Sequence, residues 1–283
     1  VASIRPPLIL TGFLILTLGW IPFQWFAVTF NLDLAKRIPN FYHRLLCKLF
    51  GIRVHIVGRP IEGGGLILAN HTSWLDIIIL SSVARLSFVS KAEVNDWFLF
   101  GFLARLQRTV FVRREERSKS MKDRDVIAAR INEGDTLVIF PEGTSSDGNR
   151  VLPFKSTLVG AAELPLAGST KETPHFPLVQ PLSLAYVASH GMPMGRETRP
   201  SYAWYGDMEL FPHLFEAFST GPLDVVVEFH QPIDVVEAGG RKRVAALAES
   251  AVRSGLLRAL HHPTYTPNAT NDAIAREEAL AAE

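Results

Sequence analysis

Between Arg5 and Asp33 the chain carries no ionisable side chain. Residues 6–32 form one uncharged run of 27, about 40 Å long if helical at about 1.5 Å per residue. The hydrocarbon core of a bilayer is about 30 Å thick. Trp20, Phe23, Trp25, Phe26 and Phe30 crowd the second half of the run, as rings near a headgroup layer do. Pro22 is expected to kink a helix here or divide it in two. The run reads as a spanning helix or as a monotopic hairpin or in-plane helix pair, and the choice between them stays open. A cleaved leader fits less well, because no small-x-small cleavage site follows. A buried helix of a soluble protein seldom runs so far without a charge.

Lys36, Arg37, His43, Arg44, Lys48 and Arg53 follow, interleaved with Leu34, Ile38, Phe41, Tyr42, Leu45, Leu46 and Phe50. That pattern describes a helix lying on an anionic surface. The basic bias after the run places the following domain on the cytoplasmic side.

The whole chain has an ordinary charge balance. Lys and Arg number 29 against 28 Asp and Glu, which gives no sign of a nucleic-acid binder. One cysteine, Cys47, excludes an intrachain disulfide framework and a cysteine-based zinc cage. Past residue 50, short β-branched or apolar runs alternate with helical patterns. Strands are expected at 52–57, 66–69, 86–90, 109–112, 136–140, 178–186 and 223–229. Helices are expected at 75–84, 97–105, 118–133, 157–164 and 241–260. The alternation predicts an α/β domain, a mixed, largely parallel sheet flanked by helices, behind an N-terminal membrane-anchoring helical segment. Residues 187–205 read as a long surface excursion, rich in Gly, Pro and Met. The organisation is therefore an anchor over 1–50, an α/β domain over 51–260 and a flexible tail over 261–283, with a short helix expected at 272–282.

The chemistry gathers where strands end, as it does in α/β folds. The segment Leu66-Ile-Leu-Ala-Asn-His-Thr-Ser-Trp-Leu-Asp76 carries a buried strand into a polar turn and then a helix. His71 and Asp76 would point apart in one continuous helix, but across a turn they can meet. A carboxylate on one imidazole nitrogen fixes the tautomer and leaves the other nitrogen as a general base. Ser73-x-x-Asp76 is equally a capping-box pattern, in which Asp76 only bonds helix amides. A second strand, 136–140, runs into Phe140-Pro-Glu-Gly-Thr-Ser-Ser-Asp-Gly148, where a carboxylate and turn amides would share the sheet edge with His71. An ordinary polar loop has the same composition. Arg113, Arg114 and Arg117 after strand 109–112, and Lys91 after strand 86–90, can grip an anion or be solvated charges. Pro181 marks an edge or a bend in its apolar strand.

The order and spacing of His71-x4-Asp76, Phe111-Val-Arg-Arg114, Phe140-Pro-Glu-Gly-Thr144 and the Pro181 strand resemble the four blocks of the glycerolipid acyltransferase family, the lysophosphatidic acid acyltransferase type. The resemblance covers residues 50–230. It implies that His71 takes the proton of an acceptor hydroxyl, which attacks an acyl thioester, and that Asp76 orients and stabilises it. It further implies that Arg114, Glu142, Gly143 and Thr144 bind the acceptor, joined by Lys91 and Arg117. No acyl-enzyme is implied, in keeping with the lack of a Gly-x-Ser-x-Gly motif. The oxyanion falls to amides after His71 or in the turn of Glu142 to Thr144. No metal or bound cofactor is implied; the donor is acyl carrier protein or coenzyme A thioester. Arg105, Arg108, Lys119, Lys122 and Arg124 are candidates for a carrier-protein patch, or equally a solvated helix face.

Ser145 stands where the family pattern usually has arginine. Arg113, where many members are acidic, would compensate. Residues 145–150, 190–196 and 203–213 look like segments of bacterial lyso-ornithine lipid acyltransferases, whose acceptor has no phosphate. The implied reaction is O-acylation of a lyso-lipid at the cytoplasmic face of a bacterial inner membrane. Lyso-ornithine lipid is the favoured acceptor and 1-acyl-glycerol-3-phosphate the alternative. A thioesterase and a non-catalytic membrane scaffold are the rivals.

Overall fold

The computed structural model describes residues 4–113, 117–170 and 175–261, with side chains from Asp123 onward in the second stretch. Arg114 and the tail beyond His261 lie outside the described residues, as do the side chains of Arg117, Lys119 and Lys122.

Helix α1 (Arg5–Thr29) and helix α2 (Leu34–Phe50) precede strand β1 (Ile52–Val57). Then come β2 (Gly65–Ala69), α3 (Leu75–Val83), β3 (Leu86–Lys91), α4 (Phe98–Leu106), β4 (Val110–Val112), α5 (Arg117–Asn132) and β5 (Thr136–Ile139). The chain continues through β6 (Val179–Ser189), β7 (Met192–Pro193), α6 (Leu210–Thr220), β8 (Leu223–Phe229), α7 (Val235–Ala238) and α8 (Arg241–His261).

The sheet runs β1-β8-β6-β2-β5-β3-β4, with β7 paired to β6. All pairs are parallel except β6 with β8 and β6 with β7. The expected mixed, largely parallel sheet is therefore present. β2 lies at its centre and is buried throughout. Ile67 and Ala69 pack into a core beneath α2 and α3, while Leu66 and Leu68 pack into a second core beneath α5 and α8. That two-sided burial is why β2 reads as a continuous apolar run rather than an alternating one.

Pro22 does not divide α1, which runs unbroken through it. Three tethers hold the helix along the domain. Arg5 donates to the carbonyls of Phe218 (3.1 Å) and Phe50 (3.0 Å). Thr17 Oγ1 and Tyr42 Oη are 2.7 Å apart. Gln24 Nε2 donates to the carbonyls of Ala35 (3.0 Å) and Leu106 (2.6 Å). The opposite face stays bare: Leu8, Leu14, Ile15, Leu18, Phe23, Trp25, Phe26 and Phe30 are 43–66% exposed. By length and composition α1 suffices to cross a membrane, and its bare face is not that of a buried soluble helix. It is the candidate membrane anchor.

α2 leaves Leu34, Arg37, Phe41, Arg44 and Lys48 exposed along one face, the mixture of basic and apolar groups expected, and buries the other. Its Ala35, Pro39, His43, Leu46, Cys47 and Phe50 are buried. Several of its cations are engaged within the protein. Lys36 pairs with Asp135 (2.7 Å), Arg37 with Asp33 (2.6 Å), and Arg44 donates to the Ser82 carbonyl at the end of α3 (3.0 Å). His43 is fully buried and its Nδ1 faces the Pro39 carbonyl (2.6 Å); burial pulls its pKa down to about 4, so it is neutral. Arg53, in β1, pairs with Asp224 of β8 (2.6 Å).

One further expectation fails. Residues 157–164 form only a single 3-10 turn, Gly160–Glu163, because Pro165 forces Leu164 into extended backbone. Residues 187–205 run largely along the surface, as expected, but carry regular structure. β6 extends to Ser189, β7 folds back on it, and a 3-10 turn at Arg199–Tyr202 buries both Arg199 and Tyr202.

Candidate active site

Leu68 of β2 lies opposite Ile139 of β5, so the carboxyl ends of both strands open at one edge. His71 and Phe140 emerge there side by side, their rings stacked at 4.1 Å and 18°. Ser146 N–H donates to the His71 carbonyl (2.9 Å), closing the two turns on each other. Asn70 secures the departure of the chain. Its side chain donates to the Leu184 carbonyl (2.9 Å) and accepts from Leu184 N–H (2.8 Å), continuing the β2–β6 ladder where it ends.

His71 Nδ1 lies 2.7 Å from Asp76 Oδ2, and Asp76 is completely buried. The same Oδ2 accepts the amides of Thr72 (2.7 Å) and Ser73 (3.0 Å). Tyr186 Oη donates to Oδ1 (2.7 Å). The base-orienting and turn-capping readings of Asp76 are thus both satisfied by one carboxylate, while no side chain caps the start of α3. Donation to Asp76 puts the proton on Nδ1 and leaves Nε2 with a lone pair. The His71 side chain is 20% exposed, enough to meet a substrate.

Tyr186 was not singled out from the sequence. It is 110 residues from Asp76, and the only signal is a phenol in an apolar strand, which needs a partner once buried. Burial first, then the Asp76 charge, holds its pKa well above 10, so it remains a donor.

Glu142 differs from the expected acceptor-binding group. It is 1% exposed, and among the described residues neither carboxylate oxygen has a hydrogen-bond partner of good geometry. Burial raises its pKa from the ordinary 4.5 to about 8, with the Asp76 charge adding to the rise and the Leu152 and His71 amides opposing it. Its place is beneath the turn rather than on it. A carboxyl protonated in the folded state and ionised in the unfolded one stabilises the fold fully below 4.5, and that contribution is lost as pH rises through about 8. We expect wild-type stability to fall by about 1.4 kcal/mol per pH unit across this window from this group alone. Glu142→Gln should flatten that dependence in denaturant titrations at pH 5, 6.5 and 8. An unchanged slope would show that Glu142 is ionised in the folded protein.

Gly143, at φ 74°, makes the tight turn, and Thr144 is exposed beside it. Lys91 closes β3, and Arg113 follows β4 at the same edge; both are exposed. Arg117 opens α5. Three candidates for the carrier-protein patch are engaged within the protein. Arg108 pairs with Asp135 (3.0 Å), Arg124 donates to the Gly160 carbonyl (3.0 Å), and Arg105 donates to Asn95 Oδ1 (2.8 Å).

An apolar cavity of about 340 Å³ opens beside His71. Phe140, Phe88, Trp74, Trp97, Phe100 and Trp204 line it near the edge, and Phe13, Trp20 and Tyr42 continue it between α1 and α2. Trp74 is held by His213 of α6, whose Nδ1 accepts the indole N–H (3.0 Å). Neither α6 nor its contact was expected from the sequence. Cys47 is buried in the core, away from any nucleophile role.

Comparison with known proteins identifies the family. The family model described as Acyltransferase matches residues 51–179. The chain is 45% identical to the lyso-ornithine lipid O-acyltransferase of Brucella abortus over 263 residues, covering 92% of this chain and 97% of the relative. It is 42% identical to the enzyme of the same description from Rhizobium meliloti, over 83% and 80% of the two chains. It is 31% identical to the 1-acyl-sn-glycerol-3-phosphate acyltransferase of Neisseria gonorrhoeae, over 70% and 72%. The crystal structure of the 1-acyl-sn-glycerophosphate acyltransferase PlsC from Thermotoga maritima shares the fold, with a TM-score of 0.62 at 18% identity over 93% of this chain and all of that one.

Proposed function

The chain belongs to the acyltransferase family, and on that premise we propose that it esterifies the free hydroxyl of lyso-ornithine lipid with an acyl group from a thioester, using His71 as general base. The observation that carries the proposal is the His71–Asp76 pair at the mouth of an apolar cavity.

His71 Nε2 takes the proton from the acceptor hydroxyl as its oxygen attacks the thioester carbonyl. The buried Asp76 carboxylate stabilises the imidazolium so formed and keeps the ring in place. The tetrahedral intermediate collapses, the C–S bond breaks, and the thiolate takes the proton back from His71. The acyl enzyme of a nucleophilic mechanism has no part in this sequence. The amides of Thr72 and Ser73 are already taken by Asp76, and that of Gly143 by the Phe140 carbonyl, which leaves the Glu142 and Thr144 amides of the second turn to hold the oxyanion. Thr144, Lys91, Arg114 and Arg117 are the proposed acceptor contacts, and Glu142 and Gly143 shape the turn beneath them. The cavity takes an acyl chain. The donor is acyl carrier protein or coenzyme A thioester, and the reaction needs no bound cofactor. α1 attaches the enzyme to the bilayer, with the site at the cytoplasmic face of the inner membrane.

The most similar relatives reported above favour a phosphate-free acceptor over lysophosphatidate, the second reading, carried by the more distant Neisseria enzyme. The test offers the purified protein both lyso-lipids in competition for one labelled acyl thioester. We expect labelled ornithine lipid to dominate; dominant labelled phosphatidate would reverse the acceptor assignment.

A further inference from the structure

Segments 145–150 and 194–204, far apart in sequence, are bound together over the catalytic turn. Arg199 is 5% exposed. Its Nε donates to the Tyr186 carbonyl (2.9 Å), Nη2 to the Met194 carbonyl (2.8 Å) and Nη1 to Asn149 Oδ1. Asn149 Nδ2 in turn donates to the Arg196 carbonyl (3.0 Å). Further along, Trp204 N–H donates to the Thr72 carbonyl (2.9 Å), and the Ser145 hydroxyl donates to the Trp204 carbonyl. Gly148, at φ 77°, shows how close the layers lie: a Cβ there would stand 3.0 Å from Thr72 Cγ2 and 3.2 Å from Arg199 Cδ.

The strap delivers Trp204 to the cavity wall that also contains His71. The indole stands edge-on to Trp97, with centroids 6.1 Å apart at 85°. Its Nε1–H donates to the Met208 carbonyl (2.8 Å), so the ring offers the cavity no polar group.

We propose that Trp204 is a specificity-determining wall of the acceptor site and that Ser145 is the positioning residue that holds it. The proposal rests on the acceptor reading above and adds a physical cause to it. A hydroxyl on the third carbon of an acyl chain has methylenes on one side and the amide end on the other. The hydroxyl of lysophosphatidate has a phosphate ester on the next carbon. An indole wall beside the base packs against methylenes, whereas a phosphate turned toward it loses water there and gains no donor from the ring. Ser145 is half-buried with its hydroxyl engaged at Trp204. A long cation at that position would have to displace the strap to reach the same space.

The test measures kcat/KM for both acceptors with the full chain in detergent micelles. Trp204→Ala should narrow the preference for lyso-ornithine lipid about tenfold or more, mainly through a raised KM for that acceptor. Ser145→Ala should narrow it in the same direction by less, and Trp204→Phe should restore most of it. If Trp204→Ala does not fold, Ser145→Ala carries the test alone. An unchanged acceptor ratio in Ser145→Ala, or an equal loss for both acceptors in Trp204→Ala, overturns the proposal. If wild type prefers lyso-ornithine lipid and the variants keep its ratio, this inference fails while the acceptor reading stands. A wild-type preference for lysophosphatidate defeats that reading first.

Discussion

His71→Ala should leave a folded protein whose acyl transfer is reduced by at least about 10²-fold, the range in which a positioned general base contributes. The expectation of an intact fold has a specific cause. Without the imidazole, Asp76 still accepts from Thr72 N–H, Ser73 N–H and Tyr186 Oη, so no buried charge is abandoned. The loss in packing is confined to one side chain stacked on Phe140 at the edge of the cavity. Circular dichroism and thermal unfolding check the fold, and single-turnover assays with saturating lyso-lipid check the chemistry. Transfer at the wild-type rate would remove His71 from the mechanism.

The second large effect concerns Asp76, and the two obvious substitutions should separate its roles. Asp76→Asn can turn its carbonyl oxygen toward His71 Nδ1, Thr72 N and Ser73 N, and its amide toward Tyr186 Oη, which can accept. The imidazole then keeps its tautomer and loses only the charge that stabilises the imidazolium. We expect transfer to fall by about 10- to 100-fold, less than in His71→Ala, with stability changed by about 1 kcal/mol. Asp76→Ala instead leaves four donors without their acceptor in a fully buried site. It should cost about 3 kcal/mol or more of stability besides the activity. If Asp76→Asn lowered stability alone and turnover held, Asp76 would be a turn cap and nothing more.

These networks explain what could be read in advance. His71 and Asp76 are five residues apart, so a local motif and a strand-to-helix turn suffice to pair them. The meeting of that turn with residues 140–146 follows from two parallel strands in register, which the alternation of elements already implied. Tyr186 could not be paired with Asp76 because the contact depends on where β6 lies in the sheet. The burial of Glu142 was hidden for a related reason: a carboxylate in a Gly-rich turn looks solvated until the sheet edge closes over it. The basic stripe of α2 was legible, since Arg37, Arg44 and Lys48 are exposed, but spacing did not reveal that Lys36 and Arg44 also find partners on β5's approach and on α3. The strap over 194–204 looked like a loop because its order comes from one buried guanidinium, Arg199, and its carbonyl partners. α6 was hidden by Pro212, which sits in its first turn, where proline is tolerated.

The central claim is that the nucleophile is a lipid hydroxyl and that His71 takes its proton. The most direct measurement follows the fate of a labelled acyl thioester with wild-type protein, in the presence and absence of lyso-ornithine lipid. The account predicts that thioester is consumed rapidly only when the lyso-lipid is present, that the label appears in an ester of that lipid, and that His71→Ala abolishes this flux. Consumption at the same rate without any lipid acceptor, with the label released as free fatty acid, would contradict it.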